Sequence, residues 1–337
     1  MKKYYVFILL SFISFNNLLV AQTNELNILS ESIFIIDGHT HHGFPSLDSS
    51  EVMSEMKYLR TLGYNAIVHE LPIERSETDD LYKRVSNELF RLEELSENNE
   101  FFEITKYPKS FSEVPESEKI HCMFAIEHFR GSIFNEDTSI IRKYGELGVQ
   151  YITLVNTEYD RLFTTSNDIS VLSKFGKEVI DKMNEIGISI DISHMSEEDM
   201  LEVITYSKSP VIASHSSGAE ISLSEDNLSN KVLYQLKENR GLVLLSFRQN
   251  RLFNTDDKIE DGVEKFIDHV DYLKSIIGIN KIGIGTDIQA NGKYMASGLS
   301  HEQTFQNIAN ALSKRGYTQA EIEKIFYKNY LDFVNKN

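Results

Sequence analysis

The sequence predicts an α/β chain folded as a (β/α)8 TIM barrel, and three observations carry that expectation. Eight short apolar runs rich in β-branched residues are spaced along the chain, each nearly continuous in apolarity, as strands buried on both faces require. Longer segments with apolar residues at intervals of three and four lie between them. Neither a Pro- or Gly-rich linker nor a repeat of fixed period interrupts the 337 residues. A doubly wound open sheet is the other arrangement that this alternation allows.

The chain opens with MKKYYVFILLSFISFNNLLVA, two lysines before an apolar stretch that ends in Leu-Val-Ala ahead of Gln22. That is the layout of a secretory signal peptide. Cleavage after Ala21 is therefore expected, with residues 22–337 as a single domain that is secreted or periplasmic. Asn16 and Asn17 interrupt the apolar stretch and leave it short for a membrane span. No cysteine stands near the cleavage point to take a lipid.

The first run is IFIID (33–37), followed by SSEVMSEMKYLRTLG, which reads as a helix with serine at its cap and Gly63 at its stop. The second run is YNAIVH (64–69). Residues 70–120 are long for one connection and are expected to hold an extra helix, DDLYKRVSNELFRLEELS, and a loop near the barrel mouth. The polar stretch Ser96–Glu100 reads as the end of that helix. The remaining runs are HCMFAIE (121–127), VQYITLV (149–155), GISIDIS (187–193), PVIAS (210–214), GLVLLSF (241–247) and KIGIGT (281–286). Two of the helical segments between them, SKFGKEVIDKMNEIG and SEEDMLEVITYS, open on serine.

Apolar content of 41% with 25% charged residues is that of a globular protein with a large core. Loss of Lys2 and Lys3 with the signal moves the formal charge from −17 to −19. A surface that acidic repels phosphate backbones and argues against nucleic acid as a partner. Cys122 is the only cysteine, so intrachain disulfides and cysteine-based zinc fingers are excluded. Any metal must be held by His, Asp and Glu.

In a barrel of this kind the chemistry stands at the C-terminal ends of the strands. The residues at or just past each run are His39 and His41, His69 with Glu70, Glu127, Asn156, His194, His215, Arg248 and Asp287. Four of the ten histidines thus cap strands one, five and six, and carboxylates cap strands three and eight. Singly, each has an ordinary explanation: a loop histidine, a solvated glutamate, an aspartate capping a helix. Together they point to metal. His39 and His41 alternate along one strand and share a face. Imidazoles and carboxylates are what zinc takes when no thiolate is present. Five or six such groups exceed the needs of one ion, so two divalent ions bridged by a carboxylate is the simplest arrangement. His42 is left over.

The segments DGHTHH, FAIEHFRG, YITLVN, LSKFGKEVIDKMNEIGISIDISHMS, PVIASHSSG and IGIGTDIQANG resemble, in order and spacing, the motifs of the membrane (renal-type) dipeptidases. These form peptidase family M19 of the amidohydrolase superfamily. The likeness covers essentially the whole chain past the signal, and FGKEVIDKMNEIGISIDISH is its most specific piece. It implies a TIM barrel of the metal-dependent hydrolase (amidohydrolase) type and a zinc-dependent hydrolase of dipeptides. His39 and His41 would bind the first zinc, Glu127 would bridge both ions, and His194 and His215 would hold the second. Asp287 would be the general acid or base at the activated water. A small dipeptide-like substrate and a homodimer are further implications.

Several positions depart from the family pattern. The family has His-x-Asp on the first strand; His39-Thr40-His41 keeps a ligand there but removes a negative charge. Asn156 stands where a histidine helps bind the substrate carbonyl. His128-Phe129-Arg130 replaces a Gly-Gly pair after the bridging glutamate. An ungapped count from His215 puts Asp226 where an arginine receives the C-terminal carboxylate of the substrate. Asn156, Asp226 and a compensating Arg248 past strand seven are therefore the substrate-contact positions. Arg251, three residues on, reads as a surface arginine. These departures leave room for hydrolysis of another small amide or ester, or for a catalytically weak relative that only binds. Asp287 speaks against the last, since a mere binding site needs no general base.

Overall fold

Strands buried on both faces pair most simply with their neighbours in sequence when a helix returns the chain each time. The computed structural model describes residues 33–41, 48–71, 81–107, 119–127, 134, 137–155, 161–166, 169–256, 261–289, 292 and 294–336. Residues 34–337 belong to one compact unit. In it, parallel strands follow one another in sequence order: Ile36–His41, Ala66–Leu71, Ile120–Ile126, Val149–Thr153, Ser189–Asp191, Ile212–Ser216 and Leu242–Leu245. The eighth strand comes in two pieces. Ile282–Ile284 pairs with the seventh strand and Ile288–Gln289 pairs with the first, which closes the sheet into the expected TIM barrel. Each of the eight apolar runs overlaps one of these strands.

The helices agree with the sequence except in detail. The helix Ser49–Thr61 is capped by Asp48 rather than by a serine. The Asp48 carboxylate accepts the N–H groups of Ser50 and Glu51, and Glu51 returns a bond to the Asp48 N–H. That reciprocal box needs a glutamate three residues on, which only the aspartate has. The expected extra helix is Leu81–Glu97, ending inside the SENNE stretch. Two features were not foreseen. Phe102–Ile104 is a short strand beside the third barrel strand, and Phe163–Ser166 pairs antiparallel with Ile169–Leu172 after the fourth. Strands of three or four residues are too short to show a period. Lys174–Ile186 and Glu197–Tyr206 begin at Ser173 and Ser196, whose hydroxyls accept the N–H of Gly176 and Asp199.

At the N-terminal ends of the strands, Ile36, Ala66, Ile212 and Leu242 pack with Tyr330 and Phe333 of the last helix, Asn329–Val334. Apolar side chains thus plug that end of the barrel, at ~1.5–3 kcal/mol for each large one buried. Higher in the barrel two buried carboxylates stitch strands together. Asp37 accepts the N–H of His39 and both the N–H and hydroxyl of Thr286, tying the first strand to the eighth. Asp191 accepts the hydroxyls of Thr153, Ser193 and Ser214 and the N–H groups of Ser193 and Ser214. Burial raises both carboxyls above the usual range, Asp37 to about 7, against the pull of these bonds. No helix among the described residues is long and apolar enough to cross a membrane. The signal-peptide reading falls on residues 1–21, outside the described ones.

Candidate metal centre

The strand ends bring the five expected ligands to one point. His39 is fully buried on the first strand, and its Nε2 lies 3.1 Å from Nε2 of His41. On the opposite wall, His215 Nε2 lies 2.7 Å from His194 Nε2. Glu127 stands between the two pairs. Its Oε2 is 3.0 Å from His41 Nε2, and its Oε1 is 2.9 Å from His194 Nε2 and 3.4 Å from His215 Nε2. The rings of His39 and His215 stack with centroids 3.8 Å apart.

The outer nitrogens are engaged elsewhere, which turns the inner ones toward the centre. His39 Nδ1 lies 3.0 Å from the Tyr151 hydroxyl and 3.4 Å from Glu70. His215 Nδ1 lies 2.8 Å from Ser214 Oγ, which donates to Asp191. His194 Nδ1 lies 2.8 Å from Asp226 Oδ1. Two imidazole nitrogens this close satisfy each other only if one is protonated, whereas a cation satisfies both together with the carboxylate. The donor atoms of His39, Glu127 and His215 form one group that could hold a metal ion, and those of His39, His41 and Asp287 form another. The residues present therefore fit a divalent metal.

The electrostatics favour ligation directly at His39 and His215, whereas His194 must give up a proton to ligate. Burial holds His39 and His215 well below the ordinary imidazole range, in the neutral form that ligation needs. Burial works against charge on Glu127 too, but hydrogen bonds from His194 and His41 outweigh it and keep the carboxyl well below its usual range. For His194 the penalty of burial is overcome by bonds to Asp226 and Glu127, which lift it to about 9. Asp287 is raised by burial, with His41, Arg248 and Arg251 opposing. His194 and Asp287 both have positive φ, 64° and 57°, outside regular strand geometry at the barrel mouth. Such conformations cluster at functional sites.

Of the substrate-contact positions, Arg248 places Nε 2.6 Å from Asp287 Oδ2 and lies over the Tyr294 ring. Asp226 is turned to His194 and Arg251. Arg251 is not a surface arginine. It is 2% exposed, with Nη1 3.2 Å from Asp226 and Nε 3.8 Å from Asp287, because the short helix Gln249–Leu252 carries it inward. Asn156, His42 and the segment 128–130 lie outside the described residues. Nothing in the sequence marks Tyr151 or Ser214 for the site, and Glu70 stands out there only as a residue at a strand end. Tyr151 and Ser214 were counted as strand, where only their side-chain direction distinguishes them.

The sequence profile of the membrane dipeptidases (peptidase family M19) matches residues 68–336. The chain belongs to the membrane dipeptidase family. A family relative, a dipeptidase of Claviceps purpurea, is 32% identical over 199 residues, which are 58% of this chain and 46% of that protein. Dipeptidase 3 of Rattus norvegicus is 29% identical over 225 residues, 64% of this chain and 44% of its own length. The chain thus spans less than half the length of these relatives. Among solved structures, an amidohydrolase from Pseudomonas aeruginosa superposes with TM-score 0.75 at 20% identity, covering 91% of this chain and 97% of its own. A metallopeptidase from Rhodobacter sphaeroides, liganded with a phosphinate mimic of the dipeptide L-Ala-D-Ala, gives 0.74 at 16% identity over 91% and 99%. At these identities the likeness is one of fold.

Proposed function

We propose that this family member is a two-metal hydrolase of dipeptides, with zinc as the ion its all-imidazole and carboxylate donor set suits. The observation that carries the reading is Glu127, which turns one carboxylate oxygen to each histidine pair. His39 and His41 would hold one ion, His194 and His215 the other, and Glu127 both. When bound, such a pair lowers the pKa of a water and polarises the scissile carbonyl. Asp287 takes the proton of the attacking water and returns it to the leaving amine. Its place beside His41, at 3.4 Å, and its enclosure at 2% exposure suit that task. Arg248 anchors the C-terminal carboxylate of the substrate, and its planar fork suits that group. Asn156 contacts the substrate carbonyl. Asp226 is the remaining substrate-contact position, its charge offset by Arg251.

The layout of residues 1–21 supports export with cleavage after Ala21, leaving one domain over residues 22–337, and the family resemblance supports a homodimer. The direct test loads the protein with zinc and offers dipeptides, amidated dipeptides, N-acyl amino acids and small esters. The reading expects free amino acids from dipeptides, lost on chelation and restored by zinc. A fully loaded protein that cleaves no dipeptide would sink it, and cleavage of an N-acyl amino acid or ester alone would move the substrate class to that compound.

A further inference from the structure

Asp226 and Arg251 stand close to the metal centre without belonging to it. His194 lies three residues past the fifth strand with φ 64°, so strand pairing does not fix its ring as it fixes His215 within the sixth strand. What meets its outer nitrogen is Asp226 Oδ1, at 2.8 Å. The second oxygen of Asp226 faces Nη1 of the buried Arg251 at 3.2 Å.

The loop that presents Asp226 is braced from within. Asn227 accepts the Ser217 N–H and donates through Nδ2 to the carbonyls of Ser222 and Arg251. Leu228 N–H closes on the Ser217 carbonyl. On the far side His269 accepts the Gly218 N–H and faces the Leu252 carbonyl with Nε2. Arg251 therefore meets the loop twice, through its carbonyl at Asn227 and its guanidinium at Asp226. Polar groups this buried are costly unless paired. Here the paired set ends on one carboxylate oxygen that faces His194.

We propose that Asp226 is a positioning residue for the ion held by His194 and His215, and that Arg251 is its buried counter-ion. The inference rests on the two-metal reading above. By accepting a hydrogen bond from Nδ1–H, Asp226 fixes the His194 tautomer, leaves the Nε2 lone pair for the ion, and makes the ring a stronger ligand. Arg251 holds the carboxylate in place while the loop brace fixes its height. The position where the family resemblance places a cation for the substrate thus holds an anion for a ligand histidine.

The test is chelator competition for both ions on the wild type, Asp226→Ala, Asp226→Asn, Arg251→Met and the Asp226→Ala/Arg251→Met double variant. Melting of each metal-free protein is recorded alongside. Asp226→Ala is expected to weaken one of the two ions about 10–100-fold, the usual range for an outer partner of a ligand histidine, and to spare the other. Asp226→Asn, whose amide oxygen still accepts a hydrogen bond, should recover part of the loss. Arg251→Met should weaken the same ion and add nothing in the double variant, because both act through one contact. If Asp226→Ala does not fold, Asp226→Asn against the wild type carries the comparison. Wild-type affinity for both ions in the Asp226 variants overturns the inference, and so does equal weakening of both. A wild-type protein that takes up no ion overturns the two-metal reading itself, and the inference with it.

Discussion

Replacing Asp287 by asparagine separates charge from shape at the break in the eighth strand. The residue is 2% exposed and has φ 57°, a conformation asparagine also tolerates. Its N–H bond to the His39 carbonyl, 3.0 Å, does not involve the side chain. The variant should therefore fold, and the five proposed ligands stay in place. What it loses is a proton acceptor 3.4 Å from His41 Nε2 and a counter-charge 2.6 Å from Arg248 Nε. An amide can neither take a proton from water nor return it to the leaving amine. Turnover should fall about 10²–10⁴-fold, the usual range for general acid–base catalysis, or ~3–5 kcal/mol on the barrier. The assay is steady-state hydrolysis of a cleaved dipeptide, with metal content measured on the same sample. Unchanged turnover at full metal content would remove Asp287 from the mechanism.

Arg248→Ala should harm hydrolysis of a free dipeptide far more than of its C-terminally amidated analogue; equal loss on both would mean that Arg248 is not the anchor. Gly285→Ala places a Cβ 1.9 Å from the Ser214 carbonyl oxygen, which cannot yield, whereas at Gly283 the nearest atom is the flexible end of Leu244 at 2.6 Å. In urea unfolding Gly285→Ala should lose at least the ~1–3 kcal/mol of ordinary overpacking and Gly283→Ala less; the reverse order would contradict the packing. His269 is held at about 4 by burial, below its usual 6.5, despite its bond to the Leu252 carbonyl. The unfolded chain takes up this proton first as pH falls, so the stabilisation is complete above about 6.5 and lost toward 4, on the order of 3 kcal/mol. His269→Gln should flatten that part of the stability–pH curve, and an unaltered slope would refute the assignment.

The barrel was legible because both faces of its strands are covered, so Ile-, Val- and Leu-rich runs stay nearly unbroken along buried stretches such as Leu242–Leu245. The candidate metal-site residues were legible because each stands at or just past the end of such a run, and His39 and His41 share one strand's alternation. Asp37 and Asp191 sit inside runs that otherwise read as apolar, and only the closed sheet shows what they bind. The turn of Asp226 toward His194, 32 residues away in sequence, depends on how the loop after the sixth strand folds back. Local patterning carries no trace of that. Arg251 was misread for the same reason: four residues of helix after the seventh strand decide whether it faces water or Asp226.

The proposed site turns on Glu127 joining two ions. The measurement that tests it most directly is anomalous diffraction at the zinc edge from crystals of the zinc-loaded protein. Two peaks are expected on either side of Glu127, one against His39 and His41 and one against His194 and His215. A single peak, a peak away from Glu127, or none at saturating zinc would contradict it.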